Sequence, residues 1–199
     1  RLSLVGSEMC IRDSFMTRER VRGGVLFWNE HEDIIRRAAE KYQVAPEILV
    51  AIVGVETRYG KHTGNYPVLD SLATLAFAYP PRARFFRSEL EHYLLMTREE
   101  RLNPLQQKGS YAGAMGMPQF ISSSFRHYAV DFDGDGKRNL WDNTADAIGS
   151  VANYFSRHGW KQGEPVAHRV KVSGLKYREL IDNSVKPPRF PPMKSAWQV

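Results

Sequence analysis

From Val25 the apolar positions Leu26, Phe27, Ile34, Ile35 and Ala38 recur at helical spacing, which predicts a helix ending near Tyr42. Val44-Ala45-Pro46-Glu47 then carries a helix-start signal, with Pro at the first turn and an acid beside it. Ile48, Leu49, Val50, Ala51, Ile52, Val53 and Val55 follow, apolar on nearly every side. Such a helix is expected inside a core. Periodicity alone also allows a buried strand, and Pro46 and the length of the run favour helix. Gly60, Gly64 and Asn65-Tyr66-Pro67 mark a loop. Helices are expected over about 70–79 and 82–101, the second broken by Asn103-Pro104. Gly109, Gly113 and Gly116 mark a second loop, and Pro118 opens a helix to about His127. A short acidic loop spans 131–142, and a last helix, about 143–158, ends at Gly159. Past Lys161, Pro187, Pro188, Pro191 and Pro192 make the end irregular, and only Val166–Val172 reads as a strand. The expected fold is mainly α, with no internal repeat.

Composition changes this picture little. The 199 residues are 42% hydrophobic and 25% charged, an ordinary globular balance that excludes disorder as the default. No run approaches the ~18 apolar residues of a membrane-spanning helix. The single cysteine, Cys10, excludes an internal disulfide and a cysteine-based zinc site. The net charge of +6 is concentrated: residues 161–199 hold eight Lys/Arg and three Asp/Glu. The body is nearly neutral and carries no nucleic-acid recognition motif, so no nucleic-acid partner is expected. Residues 1–14, RLSLVGSEMCIRDS, have neither periodicity nor caps and resemble a translated sequencing adapter. They are set aside from the fold.

Three stretches carry candidate chemistry. Glu56 follows the apolar run and shares a helix face with Ile52 and Val53. Burial and the negative end of the helix dipole are both expected to raise its pKa, which suits a general acid. The plainer alternative is an acid paired with Arg58 or Lys61. In Asp131-Phe132-Asp133-Gly134-Asp135-Gly136-Lys137-Arg138-Asn139-Leu140-Trp141-Asp142, acids at positions 1, 3 and 5 and Gly at 6 match the start of an EF-hand loop. Lys137 would offer its backbone carbonyl and Asn139 fills position 9. Asp142 is shorter than the bidentate Glu expected at position 12, so it would either ligate or cap the next helix while Asp146 reaches back to the ion. A single such loop suits a structural Ca²⁺; the alternative is a solvated turn. The third stretch, Ser110 to Phe120 (SYAGAMGMPQF), lets a ligand approach the backbone, with Ser110 and Gln119 offering a hydroxyl and an amide to a sugar. Tyr59, Tyr66, Tyr111 and Tyr154 lie near these loops, where aromatic faces suit sugar rings, although most are expected in the core.

Together and in this order, the three stretches resemble the lytic murein transglycosylase B family, envelope enzymes with a lysozyme-like catalytic core. The matching segments are FWNEHEDIIRRAAEKYQVAPEILVAIVGVETRYG, SYAGAMGMPQF, and DFDGDGKRNLWD with DAIGSVANYFSRHGW, within about residues 20–160. The resemblance implies that Glu56 is the sole catalytic carboxylate. It implies that Ser110 and Gln119 bind the acetamido sugar, and that Tyr154, Arg82 and Tyr111 line the cleft. It implies one EF-hand-like calcium site among Asp131, Asp133, Asp135, Lys137, Asp142 and Asp146. An extra residue in Asn143-Thr144-Ala145 leaves open which of Asp142 and Asp146 is the last ligand. No organic cofactor is implied. The implied reaction is non-hydrolytic cleavage of the MurNAc–GlcNAc β-1,4 bond of peptidoglycan, leaving 1,6-anhydro-MurNAc ends, in the periplasm or cell envelope of a Gram-negative-type bacterium.

Residues 15–160 are therefore expected to form the catalytic core. Residues 161–199 are expected to be divergent or truncated, since a later Tyr-Asn segment of the family is not matched there. Any signal or lipid anchor would lie in a missing N-terminus. Three other readings remain: a hydrolase on the same fold, needing a second carboxylate of which Asp70 is the nearest in sequence; a non-catalytic calcium- or wall-binding module; and a basic nucleic-acid binder.

Overall fold

The structure is a computed structural model and describes residues 14–166. Among these, seven α-helices are joined by loops, with one two-residue β-pair. The helices are α1 (Arg18–Glu30), α2 (Glu32–Tyr42), α3 (Pro46–Thr57), α4 (Val68–Ala78), α5 (Ala83–Glu99), α6 (Ser122–Tyr128) and α7 (Thr144–Arg157). Strand β1 (Tyr66–Pro67) pairs antiparallel with β2 (Lys108–Gly109). The mainly helical class agrees with the sequence. The expected strand at Val166–Val172 and Cys10 lie outside the described residues, apart from Val166 itself. No helix among the described residues is long and apolar enough to cross a membrane.

Two apolar clusters organise the helices. The first joins Phe27, Ile35, Ala38, Leu49, Val53, Ile148, Val151 and Ala152, from α1, α2, α3 and α7. The second joins Val68, Leu72, Phe86, Tyr93, Met96, Met115, Phe120, Phe125 and Leu140, from α4, α5, α6 and the glycine-rich loop. Helix α7 fits between neighbours because Ala145, Ala147, Gly149, Ser150 and Ala152 are small and buried. Its first turn is capped by Asn143, whose Oδ1 accepts from the N–H groups of Ala145 and Asp146. Asn143, not Asp142, is the cap.

The periodicity misplaces two boundaries and one buried face. The helix expected from Val25 to Tyr42 is two helices, bent at His31, whose N–H donates to the carbonyls of Phe27 and Trp28. No Gly or Pro marks that bend. The helix expected from Pro118 starts only at Ser122. Gln119 is left-handed, at φ 52°, and Phe120 instead pairs with Met115, 2.8 and 3.0 Å apart in their two backbone bonds. Helix α3 is not enclosed on every side: Ala51 and Val55 are exposed.

Tyr59 explains much of how α1 meets α3. Its ring lies against Gly23, Gly24 and Gly54, and its hydroxyl donates to the carbonyl of Arg20 at 2.9 Å. To reach that cradle the chain turns sharply after α3, with Arg58 and Tyr59 both left-handed at φ 50° and 62°. Helix α3 thus ends at Thr57, two residues before the last non-glycine position the sequence allows it. Tyr59 is a packing residue, not a ring offered to a sugar. A Cβ at Gly54 would come within 2.6 Å of the Tyr59 ring. Gly54→Ala is therefore expected to destabilise the protein by about 1–3 kcal/mol, overriding the gain of about 1 kcal/mol that alanine normally brings to a helix interior. Urea denaturation of the two proteins checks this.

Candidate active site

Glu56 sits in the last turn of α3, half-buried, where the apolar run places it. Its Oε1 is buried and takes no hydrogen bond. Among the described residues it makes no ion pair, and so none with Arg58 or Lys61. Burial pushes its pKa up to about 8. The carboxyl is held neutral near pH 7 by lost hydration alone, with no partner to offset it.

The neighbouring Thr57 is fully buried and does the fastening. Its hydroxyl donates to the carbonyl of Met117 at 2.9 Å and accepts from the N–H of Gly60 at 3.0 Å. The end of the Glu56 helix is thereby tied to the glycine-rich loop 110–120. A second tie comes from Gln119, whose Nε2 donates to the carbonyls of Thr63 and Gly116, each at 3.0 Å. A third is steric: the backbone of Gly64 runs so close to Gly109 that a Cβ would lie 2.1 Å from the Gly109 carbonyl oxygen. Thr57 escapes sequence reasoning because a threonine at a helix end gives no signal of a contact 60 residues away.

These ties fix what the loop can offer. Both polar N–H contacts of the Gln119 amide go to backbone carbonyls, so its Oε1 is the group left for a ligand, an acceptor. The Ser110 Oγ accepts from the N–H groups of Ala112 and Ala114, at 3.3 and 3.0 Å. Its hydroxyl proton is left to donate. Tyr111 is 66% exposed on the same loop. Tyr154 stacks on His158 with ring centroids 4.0 Å apart and also meets Phe120, next to Gln119, at 5.6 Å. Arg82 lies in a 3₁₀ turn (Pro80–Arg82), its guanidinium 4.3 Å from the Phe85 ring centroid. No contact links Arg82 to Glu56 or to the glycine-rich loop among the bonds and ring contacts described.

The acidic loop brings three carboxylates together. One oxygen each from Asp131, Asp133 and Asp146 lie within 4.8 Å of one another. Asp146 is fully buried and pins both ends of the loop, its two oxygens accepting from the N–H groups of Phe132 and Asn139 at 2.7 and 2.8 Å. Asp131 accepts from Gly134, Asp135 and Gly136. Asn143 donates to Asp133 at 2.8 Å. Asp135 is not in the cluster and accepts from the Lys137 N–H at 2.8 Å. Asp142 is exposed and outside it as well. Of the two late aspartates, Asp146 is the one that converges on the loop's start. The Asn139 side chain instead accepts from the N–H groups of Trp141 and Asp142.

Comparison with known proteins identifies the family and the fold. The transglycosylase SLT domain family matches residues 11–198, a wider span than the motifs themselves. Membrane-bound lytic murein transglycosylase B of Escherichia coli (strain K12) is 56% identical over 162 residues, 81% of this chain and 45% of that protein. The Escherichia coli lytic transglycosylase Slt35, solved in complex with calcium, is 56% identical with a TM-score of 0.77, over 79% of this chain and 50% of its own. SltB3 of Pseudomonas aeruginosa, solved in complex with NAG-NAM-pentapeptide, is 37% identical with a TM-score of 0.79, over 85% of this chain and 46% of its own. The chain spans about half the length of these relatives. The mainly helical, lysozyme-like lytic transglycosylase fold is thus shared, and the chain belongs to the transglycosylase SLT domain family.

Proposed function

We propose that this chain is a peptidoglycan lytic transglycosylase, with residues 15–160 as its catalytic core and Glu56 as its only catalytic carboxylate. The observation that carries the reading is a half-buried, unpartnered carboxyl with a pKa near 8, fastened through Thr57 to a loop with one sugar-type donor and one acceptor. Protonated Glu56 gives its proton to the glycosidic oxygen as the C1–O bond of MurNAc breaks. The carboxylate so formed then takes the proton of the muramyl 6-hydroxyl as that oxygen attacks C1. The product is a 1,6-anhydro-MurNAc end and a free GlcNAc hydroxyl, and Glu56 is restored to its acid form. An ordinary glycosidase needs a second carboxylate to activate water or form a covalent intermediate. Here the nucleophile is part of the substrate, and the intramolecular attack replaces it. Ser110 and Gln119 suit an acetamido group, the serine proton meeting the acetyl oxygen and the Gln119 oxygen meeting the amide N–H. Tyr154 and Tyr111 offer faces to the sugar rings, and Arg82 lies at the margin of the cleft. Asp70, the second carboxylate a hydrolase would use, is exposed in the first turn of α4.

The aspartate cluster suits one Ca²⁺, a hard cation that takes oxygen ligands. Three carboxylates this close repel one another unless a cation lies between them. Asp131, Asp133 and Asp146 would hold it, with Asp135 and the Lys137 carbonyl completing the shell. Its part would be to stiffen the loop that packs behind Gly116 and Met117. The substrate places the activity in the cell envelope, on the periplasmic side. Partners beyond the glycan strands, an anchoring membrane included, would act through segments other than the described helices.

Glu56→Gln is expected to abolish release of anhydro-muropeptides from purified peptidoglycan, read by mass spectrometry, while the circular dichroism spectrum is unchanged. Retained turnover would refute the assignment, and reducing-end products would make the enzyme a hydrolase. Activity is expected to fall as pH rises through about 8, where the acid form is lost.

Stability should show the same carboxyl. The unfolded glutamate ionises near pH 4.3 and the folded one near 8. Between these values the native state holds the extra proton, so Glu56 makes the fold progressively less stable as pH rises. Glu56→Gln removes that slope. Urea midpoints of variant minus wild type should therefore grow from pH 5 to about pH 8 and then level off.

Calcium is expected to raise the melting temperature of the wild type, by about 2.7 kcal/mol of stability at a hundredfold excess over Kd. Chelation should reverse the rise, and Asp133→Asn should abolish it. Equal melting with and without calcium would dismiss the site.

A further inference from the structure

A cavity of about 450 Å³ opens between the segment 100–108 and the second half of the acidic loop, lined in part by Gln106, Lys108, Lys137, Arg138, Trp141 and Asp142. Its walls are held in place. Trp141 Nε1 donates to the Lys108 carbonyl at 2.9 Å. The Arg138 guanidinium is clasped by Glu100, which also accepts the Arg138 N–H at 3.3 Å, and it lies over the Phe125 ring. Phe125 in turn meets Trp141 with centroids 6.0 Å apart. Arg138 and Glu100 thus neutralise each other. The two ammonium groups, of Lys108 and Lys137, pair with no carboxylate among the described residues, and Asp142 pairs with no cation there. The cavity therefore presents an indole face, two uncommitted cations and one uncommitted anion.

Lys108 belongs to β2 and stands two residues before Ser110, and Leu140, just before Trp141, accepts the Met117 N–H at 2.7 Å. The cavity wall and the candidate sugar-binding loop are one connected piece. Resting on the transglycosylase reading, a flexible peptide branching from a glycan seated at Ser110 has the reach to enter an opening whose wall begins two residues away, at Lys108. Its glycan is neutral wherever the lactyl carboxyl is amide-linked to a peptide. The carboxylates that two lysines can meet are carried by the stem peptide, and so is the amine that Asp142 can meet. We propose that this cavity is a subsite for the carboxylate-bearing stem peptide of peptidoglycan, with Lys108 as its principal anchor and Trp141 as its floor.

The test is binding of the free stem tetrapeptide L-Ala–γ-D-Glu–meso-diaminopimelyl–D-Ala to the full chain, by isothermal titration calorimetry. The peptide should bind the wild type and the Glu56→Gln variant equally. Lys108→Met, which keeps the aliphatic stem, should weaken it about fivefold, the worth of about 1 kcal/mol. Lys108→Arg should retain it. Melting curves of both Lys108 variants should match the wild type. Absence of peptide binding, or binding indifferent to Lys108→Met, would overturn the proposal. So would a peptide-free N-acetylglucosamine oligomer that loses affinity equally in Lys108→Met, since the cavity would then read glycan. Peptide binding does not need turnover, so the subsite and the transglycosylase reading fail separately. Anhydro products without peptide binding remove the subsite alone; peptide binding without anhydro products removes the reaction and leaves the subsite.

Discussion

A carboxyl taken out of water and given no partner stays protonated, and the arrangement around Glu56 follows from that cost. Burial raises its pKa to about 8 because the charged form alone loses hydration. The position is created by α3, whose buried face anchors in the first core through Leu49 and Val53. The helix then stops at once, and Tyr59 folds back into the Gly23–Gly24–Gly54 cradle. The acid is thus presented at an end rather than within a helix. The two consecutive left-handed residues that allow this, Arg58 and Tyr59, are strained for L-amino acids. The tyrosine's packing and its hydroxyl bond to Arg20 offset that strain.

The junction of the two cores is the second element of the site. Glu56 belongs to the helices of the first core, and the glycine-rich loop belongs to the second. Their relative position depends on a few polar bonds: Thr57 to Met117, Gln119 to Thr63 and Gly116. Local bonds also decide which polar atoms of the loop stay free. An amide whose N–H groups are spent can only accept, and a hydroxyl whose oxygen already accepts twice is left to donate. For Gln119, the bonds that fix the junction also decide which polar atom stays free. The acidic loop supports the junction from behind, where Met117 bonds to Leu140 and Asp146 holds the loop at both ends.

Much of this was legible in the sequence where local rules act. Pro46 placed the start of α3, the apolar run gave its buried face, and Glu56 stood where burial would raise its pKa. The D-x-D-x-D-G spacing marked the loop in which Asp131 and Asp133 converge. What failed to show was tertiary. His31 bends the chain with no breaker residue, and Gln119 is left-handed because its amide is committed to Thr63 and Gly116. Thr57 looked like a helix-end threonine, and its role depends on a partner 60 residues on. The choice between Asp142 and Asp146 was undecidable from spacing. Asn143 caps α7 and so turns Asp146 inward, while Asp142 stays in solvent. That cap had a sequence signal, an Asn before an apolar helix, but Asp142 beside it carried the same one.

The proposed mechanism needs Glu56 neutral in the folded protein at physiological pH. The most direct measurement is a carbon-detected NMR titration of the Glu56 side-chain carboxyl, assigned by its loss in Glu56→Gln. An apparent pKa near 8 is the expected result. A Glu56 that ionises in the ordinary range of a free glutamate, near 4.3, would mean a solvated carboxylate, unable to serve as the acid, and would contradict the mechanism at its first step.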